Sequence, residues 1–386
     1  MLEASVRKAI ELKVAFVFVG GDMQDAWADF RHAKKSPTGG LNRQDAEALE
    51  DFQRKNIVQA LTPLKNAKIP VFFTPGNHDV DDAPTVDTLA KFKHTYDKSW
   101  FKNSGDMVLH EGMHTKEPEL WGRFSVRGKP EYHFLYITSQ FYQDPHSQGV
   151  KSEDLHKKSY MNFLESYRAK QLSGLRGLMK DIKKEADTHG TKENIVVIFT
   201  HIPPFMESAH EQEGWANWRK KDRTSVLDTI TGQEIPGLKV VFICGHFHSN
   251  VVVAATYGKV PLHIIVTTSV GTTMAWSPLD GVPELRSAHP AAKVATESIG
   301  DAFFKYIMLS DPKNFAEIPK RLVPGEHHSG VRIFELGRWM KQSFFKVDEL
   351  QRSTPLALIG RLHRLRWAVV GNLMGLRAAT KTVYDL

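Results

Sequence analysis

Cysteine is almost absent: the one example among 386 residues is Cys244, which ends the apolar run KVVFIC (239–244). A lone thiol cannot close an internal disulfide, so nothing in the sequence asks for an oxidising compartment. Its apolar setting reads as a small core residue rather than a nucleophile. Long apolar runs are missing as well. No run of about 18 uncharged apolar residues, the length that a membrane span needs, occurs. The opening MLEASVRKAIELK is charged and amphipathic and lacks the apolar centre of a signal peptide. A soluble, cytoplasmic protein is the expectation. Charge of one sign is also scarce. A formal net charge of +7 favours anionic partners only weakly and gives no ground for expecting nucleic acid. Low-complexity segments and internal repeats are lacking too. What is there, 41% hydrophobic and 10% aromatic residues, is enough to build a core, and the length allows two domains or one large domain with insertions.

Short apolar runs alternate with amphipathic ones. Residues 2–12 place Leu2, Val6 and Ala9/Ile10 on one side of a helix and Arg7, Lys8 and Glu11 on the other. VAFVFVG (14–20) then suits a buried strand and runs into Gly21-Asp22. A second helix is predicted over 45–66, with Ile57, Leu61 and Leu64 on one face and Pro63 set to end or kink it early. VFFT (71–74) empties into PGNHD (75–79). YHFLYIT (132–138) precedes a long helix at about 160–185. NIVVIFT (194–200) ends at His201, and KVVFIC ends at GHFH (245–248). LHIIVTT (262–268), GVRIFEL (330–336) and SFFKV (343–347) supply later strands. This rhythm predicts an α/β fold.

Two regions break the rhythm. Residues 277–326, rich in Pro, Gly, Ala and Ser around the apolar island AFFKYIML (302–309), read as an insertion, either a lid or a surface excursion. The tail 351–386 is basic. Arg361, Arg364, Arg366, Arg377 and Lys381 accompany Leu358, Leu362, Leu365, Val369 and Leu376 on one helical face. This predicts a C-terminal helix docked on its own domain, with a membrane surface or a partner as the other possibility.

The most informative pattern is positional. Four apolar strands each end in a metal-competent group: Asp22; Asn77-His78-Asp79; His201; and His246 with His248. In α/β sheets, loops at the carboxyl ends of strands converge on ligands. A carboxylate, an amide oxygen and imidazoles suit Mn, Fe, Zn or Co better than Ca. Two such ions, about 3.5–4 Å apart, can share a bridging carboxylate and hydroxide that attacks phosphorus, and phosphate esters need charge neutralisation above all. Each residue also has a plainer explanation. Asp22 and Asn77 suit turns, and the histidines suit strand ends or surface loops. Four coincidences in one order argue against the plainer set.

In this order GD, GNHD, a strand-terminal His and GHxH resemble the calcineurin-like metallophosphoesterases. PTVDTLAKF, TSQFYQDP, HIPPFMES and VVFICGHFHSN look like the subgroup of calcineurin-like phosphoesterase domain-containing protein 1. The resemblance spans about residues 14–350, apart from 277–326. It implies a four-layer αββα sandwich and two divalent metal ions. Asp22 would bridge them, Asn77, His201 and His246 would complete the second site, and His248 would serve the first. His78 would stand at the leaving oxygen as proton donor or charge stabiliser, oriented by Asp79. The implied reaction is phosphoester hydrolysis by activated water without a covalent intermediate. The substrate would be a small phosphoester or, from the subgroup, phosphoserine or phosphothreonine in proteins.

One departure stands out. The family opens with a strand ending Asp-x-His or Asp-x-Gln, and nothing before Asp22 offers it. The first metal site is therefore less complete than the second, and loss of that strand is expected to expose core and unpaired backbone. An N-terminally incomplete active enzyme, a short single-metal form, or substitution by the insertion or by His327-His328 would each account for it. The rival from another class is a non-catalytic binding protein on the same fold. Among lesser features, Ser139-Gln140-Phe141-Tyr142 would line a pocket or pack, Trp215 and Trp218 would form a mobile rim, and Arg219-Lys220-Lys221 would be a solvated face.

Overall fold

In a computed structural model, residues 2–23, 43–79, 89, 90, 92, 107–109, 121–142, 158–205, 218–246 and 251–267 are described, with the strand segments 305–308, 319–322, 330–336, 340–346, 366–370 and 383–385. The chain divides into two compact units. The first comprises Met1–Gly105, Thr267–Ala275 and His328–Leu386, and the second Asp106–Val266 and Trp276–His327.

The first unit begins with α1 (Leu2–Glu11), which buries Ala4, Ser5, Val6 and Ala9. Lys13 then takes a positive φ of 50°, and the Val14 N–H reaches back to the Ala9 carbonyl at 3.2 Å, a left-handed cap that stops the helix. Strand β1 (Phe16–Val19) follows, every residue buried. Helix α2 (Arg43–Asn66) ends the same way. Lys68 has φ 58°, and Ile69 N–H bonds Leu64 O at 2.9 Å. The predicted early stop at Pro63 does not occur. Leu61 and Leu64 on either side of it are fully buried, and their burial offsets the proline's cost of about 3 kcal/mol. Strand β2 (Val71–Phe73) pairs in parallel with β1 in the register Val19↔Phe73, and Phe16 meets Phe72 edge-on at 5.6 Å.

The rest of this sheet comes from the far end of the chain: β12 (Gly330–Leu336), β13 (Met340–Lys346), β14 (Arg366–Val370) and β15 (Val383–Asp385). The order is β15-β13-β12-β14-β1-β2. Two expectations are corrected here. The tail is not a continuous helix, because residues 366–370 form a strand parallel to β1, with Phe16↔Trp367 and Val19↔Val370. Nor is the flank of β1 left without a backbone partner, since β14 fills it and is itself paired to β12. Apart from 366–370 and β15, the tail, including Arg361, Arg364 and Lys381, lies outside the described residues.

The second unit holds a seven-stranded sheet ordered β3-β4-β5-β6-β7-β9-β8. Its strands are β3 (Met107–Leu109), β4 (Gly122–Val126), β5 (Tyr132–Tyr136), β6 (Asn194–Phe199), β7 (Leu238–Cys244), β8 (Val251–Tyr257) and β9 (Val260–Val266). The run β5, β6, β7, β9 is parallel, and antiparallel strands close both edges. Phe124, Phe134 and Phe199 stack across β4, β5 and β6 at 5.0 and 6.2 Å. Helix α3 (Lys158–His189) buries Leu164, Leu175, Met179, Ile182 and Ala186, spaced for one helical face. Helix α4 (Lys220–Thr231) buries Val226, Leu227 and Ile230. At the amino end of the parallel strands, buried Arg123 pairs with Glu185 and meets His133 Nδ1 at 3.1 Å. His133 Nε2 lies 3.2 Å from Asn194 Oδ1. The 277–326 interruption contributes an antiparallel pair, β10 (Lys305–Met308) and β11 (Pro319–Leu322). The expected α/β class, with two mixed sheets and flanking helices, is what the chain forms. Among the described residues, no helix is long and apolar enough to cross a membrane.

Candidate functional site

In the first unit, adjacency of β1 and β2 carries Gly20-Gly21-Asp22 and Thr74 through Asp79 to the same sheet edge. The pairing continues past the strands, where Thr74 N–H donates to Val19 O at 3.2 Å. Asp22 sits at φ 51°, a region costly for a non-glycine residue and concentrated at functional sites. Its Oδ1 accepts the His78 backbone N–H at 3.0 Å. Asp79, only 3% exposed, staples the two loops together. One of its carboxylate oxygens accepts the Met23 N–H at 2.7 Å and the other accepts the Gly76 N–H at 2.8 Å. Gly76 is obligatory here, because a Cβ would collide with the Asp22 carboxylate and amide. Asn77 and His78 are half-buried on the same turn. This unit therefore brings Asp22, Asn77, His78 and Asp79 together.

The second unit does the same for two histidines. Strands β6 and β7 are adjacent and parallel, in the register Phe199↔Ile243. Two more bonds extend the ladder: Thr200 N–H to Ile243 O at 3.1 Å and Gly245 N–H to His201 O at 2.9 Å. His201 is fully buried and His246 is 8% exposed. His246 stands at φ 74°, which turns its ring toward His201, and His246 Nδ1 lies 3.3 Å from His201 Nε2. Two ligands about 2.1 Å from one ion stand roughly 3.0–3.4 Å apart in octahedral or tetrahedral geometry. The pair thus fits a shared cation as well as it fits a shared proton. Cys244 precedes this loop but is inert, since burial pushes its thiol well above the ordinary range.

His248, Trp215 and the His327-His328 pair lie outside the described residues. Trp218 is buried, at 1% exposure, so it is not part of a rim. Its ring packs on Tyr142 at 4.8 Å and edge-on to Phe242 at 6.0 Å. Arg219 does not stand free in solvent either, being ion-paired to Asp222 at 2.5 Å, while Lys220 and Lys221 are exposed as expected. The turn Gln140–Tyr142 packs. Phe141 stacks on Tyr167 at 4.0 Å, and burial raises the Tyr142 hydroxyl well above the phenol range. Sequence patterns missed the Asp79 staple and the positive φ of Asp22 and His246. The GNHD glycine and the Gly-Gly before Asp22 were the available signals.

The model for calcineurin-like phosphoesterases matches residues 2–250. Serine/threonine-protein phosphatase CPPED1 of Pongo abelii is 28% identical over 227 residues, covering 58% of this chain and 55% of that protein. The same protein of Homo sapiens is 27% identical over 227 residues, at 58% and 55% coverage, and that of Danio rerio 25% over 198 residues, at 50% and 48%. The chain spans about half the length of these relatives. Among solved structures, PhoD aligns with a TM-score of 0.46 at 13% identity, over 91% of this chain and 64% of that one. GAP50, the anchor in the inner membrane complex of Plasmodium, aligns at 0.39 and 12%, over 94% and 82%. With the family model matched over more than half its length, the chain belongs to the calcineurin-like phosphoesterase family.

Proposed function

We propose that the chain hydrolyses phosphoesters with divalent ions, one of them held by Asp22, Asn77, His201 and His246, with His248 serving a second. The observation that carries this is the His201–His246 pair, two buried rings on adjacent strand ends with nitrogens 3.3 Å apart. The mixed oxygen and nitrogen donors suit Mn, Fe or Zn. A divalent ion there supplies charge neutralisation for the phosphate and a water of lowered pKa. The chain's own residues do the rest. Asp22 holds the His78 backbone through Oδ1, which sets where the His78 ring stands. Asp79 orients His78 by fixing the turn that carries it. The half-buried His78 ring then gives a proton to the departing oxygen. Phosphoserine or phosphothreonine in proteins is the finer substrate reading, supported by the CPPED1 relatives' name alone.

The test is hydrolysis of an aryl phosphate and of a phosphoserine peptide with added Mn²⁺. His78→Ala is expected to lower kcat by about 10²–10⁴-fold, and Asp22→Asn to remove most metal-dependent turnover. Metal-dependent turnover untouched by both substitutions overturns the site. A chain that binds Mn²⁺ without turning over either substrate is the binding protein instead.

A further inference from the structure

The residue after His201 is held in an unusual way. Ile202 is fully buried and lies past the end of β6, where no strand partner serves it. Pro203 and Pro204 follow, so neither of the next two residues has an N–H, and Ile202 is confined to extended conformations. Buried backbone groups need partners, and both of those on Ile202 find side chains. Its N–H donates to Ser139 Oγ at 2.9 Å. Its carbonyl accepts the Trp218 Nε1–H at 2.8 Å. Ser139 itself is fully buried.

The two arms brace each other. Ser139 opens the turn Gln140–Tyr142. Tyr142 O accepts the Arg219 N–H at 2.7 Å, next to Trp218, whose indole also packs on the Tyr142 ring. Gln171, from α3, secures the base of the turn. Its Oε1 accepts the Thr138 N–H at 3.0 Å, and its Nε2 donates to Thr138 O at 2.9 Å and to the Tyr142 hydroxyl at 2.7 Å. His201 is then gripped on both sides, by its own carbonyl on Gly245 and by the clamped peptide that follows.

We propose that Ser139 and Trp218 are positioning residues that aim the His201 ring at its ion. This rests on the metal reading above, and neither residue is given a part in the chemistry. Groups that orient a metal ligand from behind set affinity as well as geometry.

The test is Mn²⁺ titration of the full chain by calorimetry, together with Co²⁺ titration followed by visible absorption, which reports ligand geometry. Trp218→Phe keeps the ring packing and removes the N–H, and Ser139→Ala removes the acceptor. Each is expected to weaken Mn²⁺ binding at least about tenfold and to alter the Co²⁺ bands. Val226→Ala, in the α4 core, is expected to lower the melting temperature and leave both metal readouts unchanged. Mn²⁺ affinities within twofold of the unsubstituted chain in both clamp variants overturn the proposal while leaving the metal reading intact. Failure of the unsubstituted chain to bind Mn²⁺ overturns the metal reading, and the clamp with it.

Discussion

Both units place metal-competent side chains at the ends of adjacent parallel strands, but they secure them differently. In the second, His201 and His246 end adjacent parallel strands, and the strand register together with the positive φ of His246 sets the two rings edge to face, their nitrogens 3.3 Å apart. In the first, Asp22 and Asn77 stand on short loops held by a strained φ, an obligatory glycine and the Asp79 staple. The sheet behind them is finished by a strand from the far end of the chain. The histidine pair rests on the pairing of two neighbouring strands, and the Asp22 and Asn77 loops rest on a sheet closed by a strand distant in the chain. The difference teaches where the protein can be broken selectively.

The largest expected effect comes from interrupting that closure. Ala368 of β14 pairs with Val17 on one side and Ile333 on the other. Ala368→Pro deletes a ladder N–H inside the sheet and is expected to cost about 3 kcal/mol or more. Hydrogen exchange should then show β1 and β12 losing protection while β5, β6 and β7 keep theirs. Val241→Pro in β7, between β6 and β9, is the mirror experiment and should expose the histidine strands first. Equal loss of protection in both units for either variant would erase the contrast.

A smaller effect sharpens the first half of the comparison. Gly76→Ala forces a methyl group into the Asp22 carboxylate and amide, and relieving it must shift a loop pinned by Asp79. Overpacking of this kind costs about 1–3 kcal/mol. A lower melting temperature with a larger fall in Mn²⁺-dependent turnover is expected. Unchanged turnover would show that the Asp22 loop tolerates displacement.

How much of this was legible in the sequence follows the same division. The buried strands 16–19, 71–73, 194–199 and 238–244 were legible because unbroken Val, Ile and Phe runs bounded by Gly, Pro or His leave little else to form. The polar residues at their ends were legible for the same reason. Strand β14 was not. RWAVV is five residues in a basic tail where apolar side chains also recur at helical spacing, and periodicity cannot separate a short buried strand from a helix turn. Its partner β1 is at the other end of the chain, a pairing that local pattern does not encode. Trp218 misled in the same way. A tryptophan among charged residues looks like surface until its indole N–H meets the Ile202 carbonyl.

The smallest expected effect lies in the second unit. His263 on β9, opposite Val241 and Ala254, has its pKa lowered by burial and then by the nearby positive charge of Lys239. The folded unit therefore takes up this proton at lower pH than the unfolded chain does. Above the unfolded value, near 6.5, both states hold neutral imidazole and the group costs nothing. As pH falls below it the unfolded chain protonates first, so stability declines until the folded histidine protonates too. His263→Gln is expected to flatten that part of the stability–pH curve, followed by urea denaturation between about pH 7 and 5, with β9 as the exchange-monitored strand. An unchanged slope would assign the acid sensitivity of this sheet to other groups.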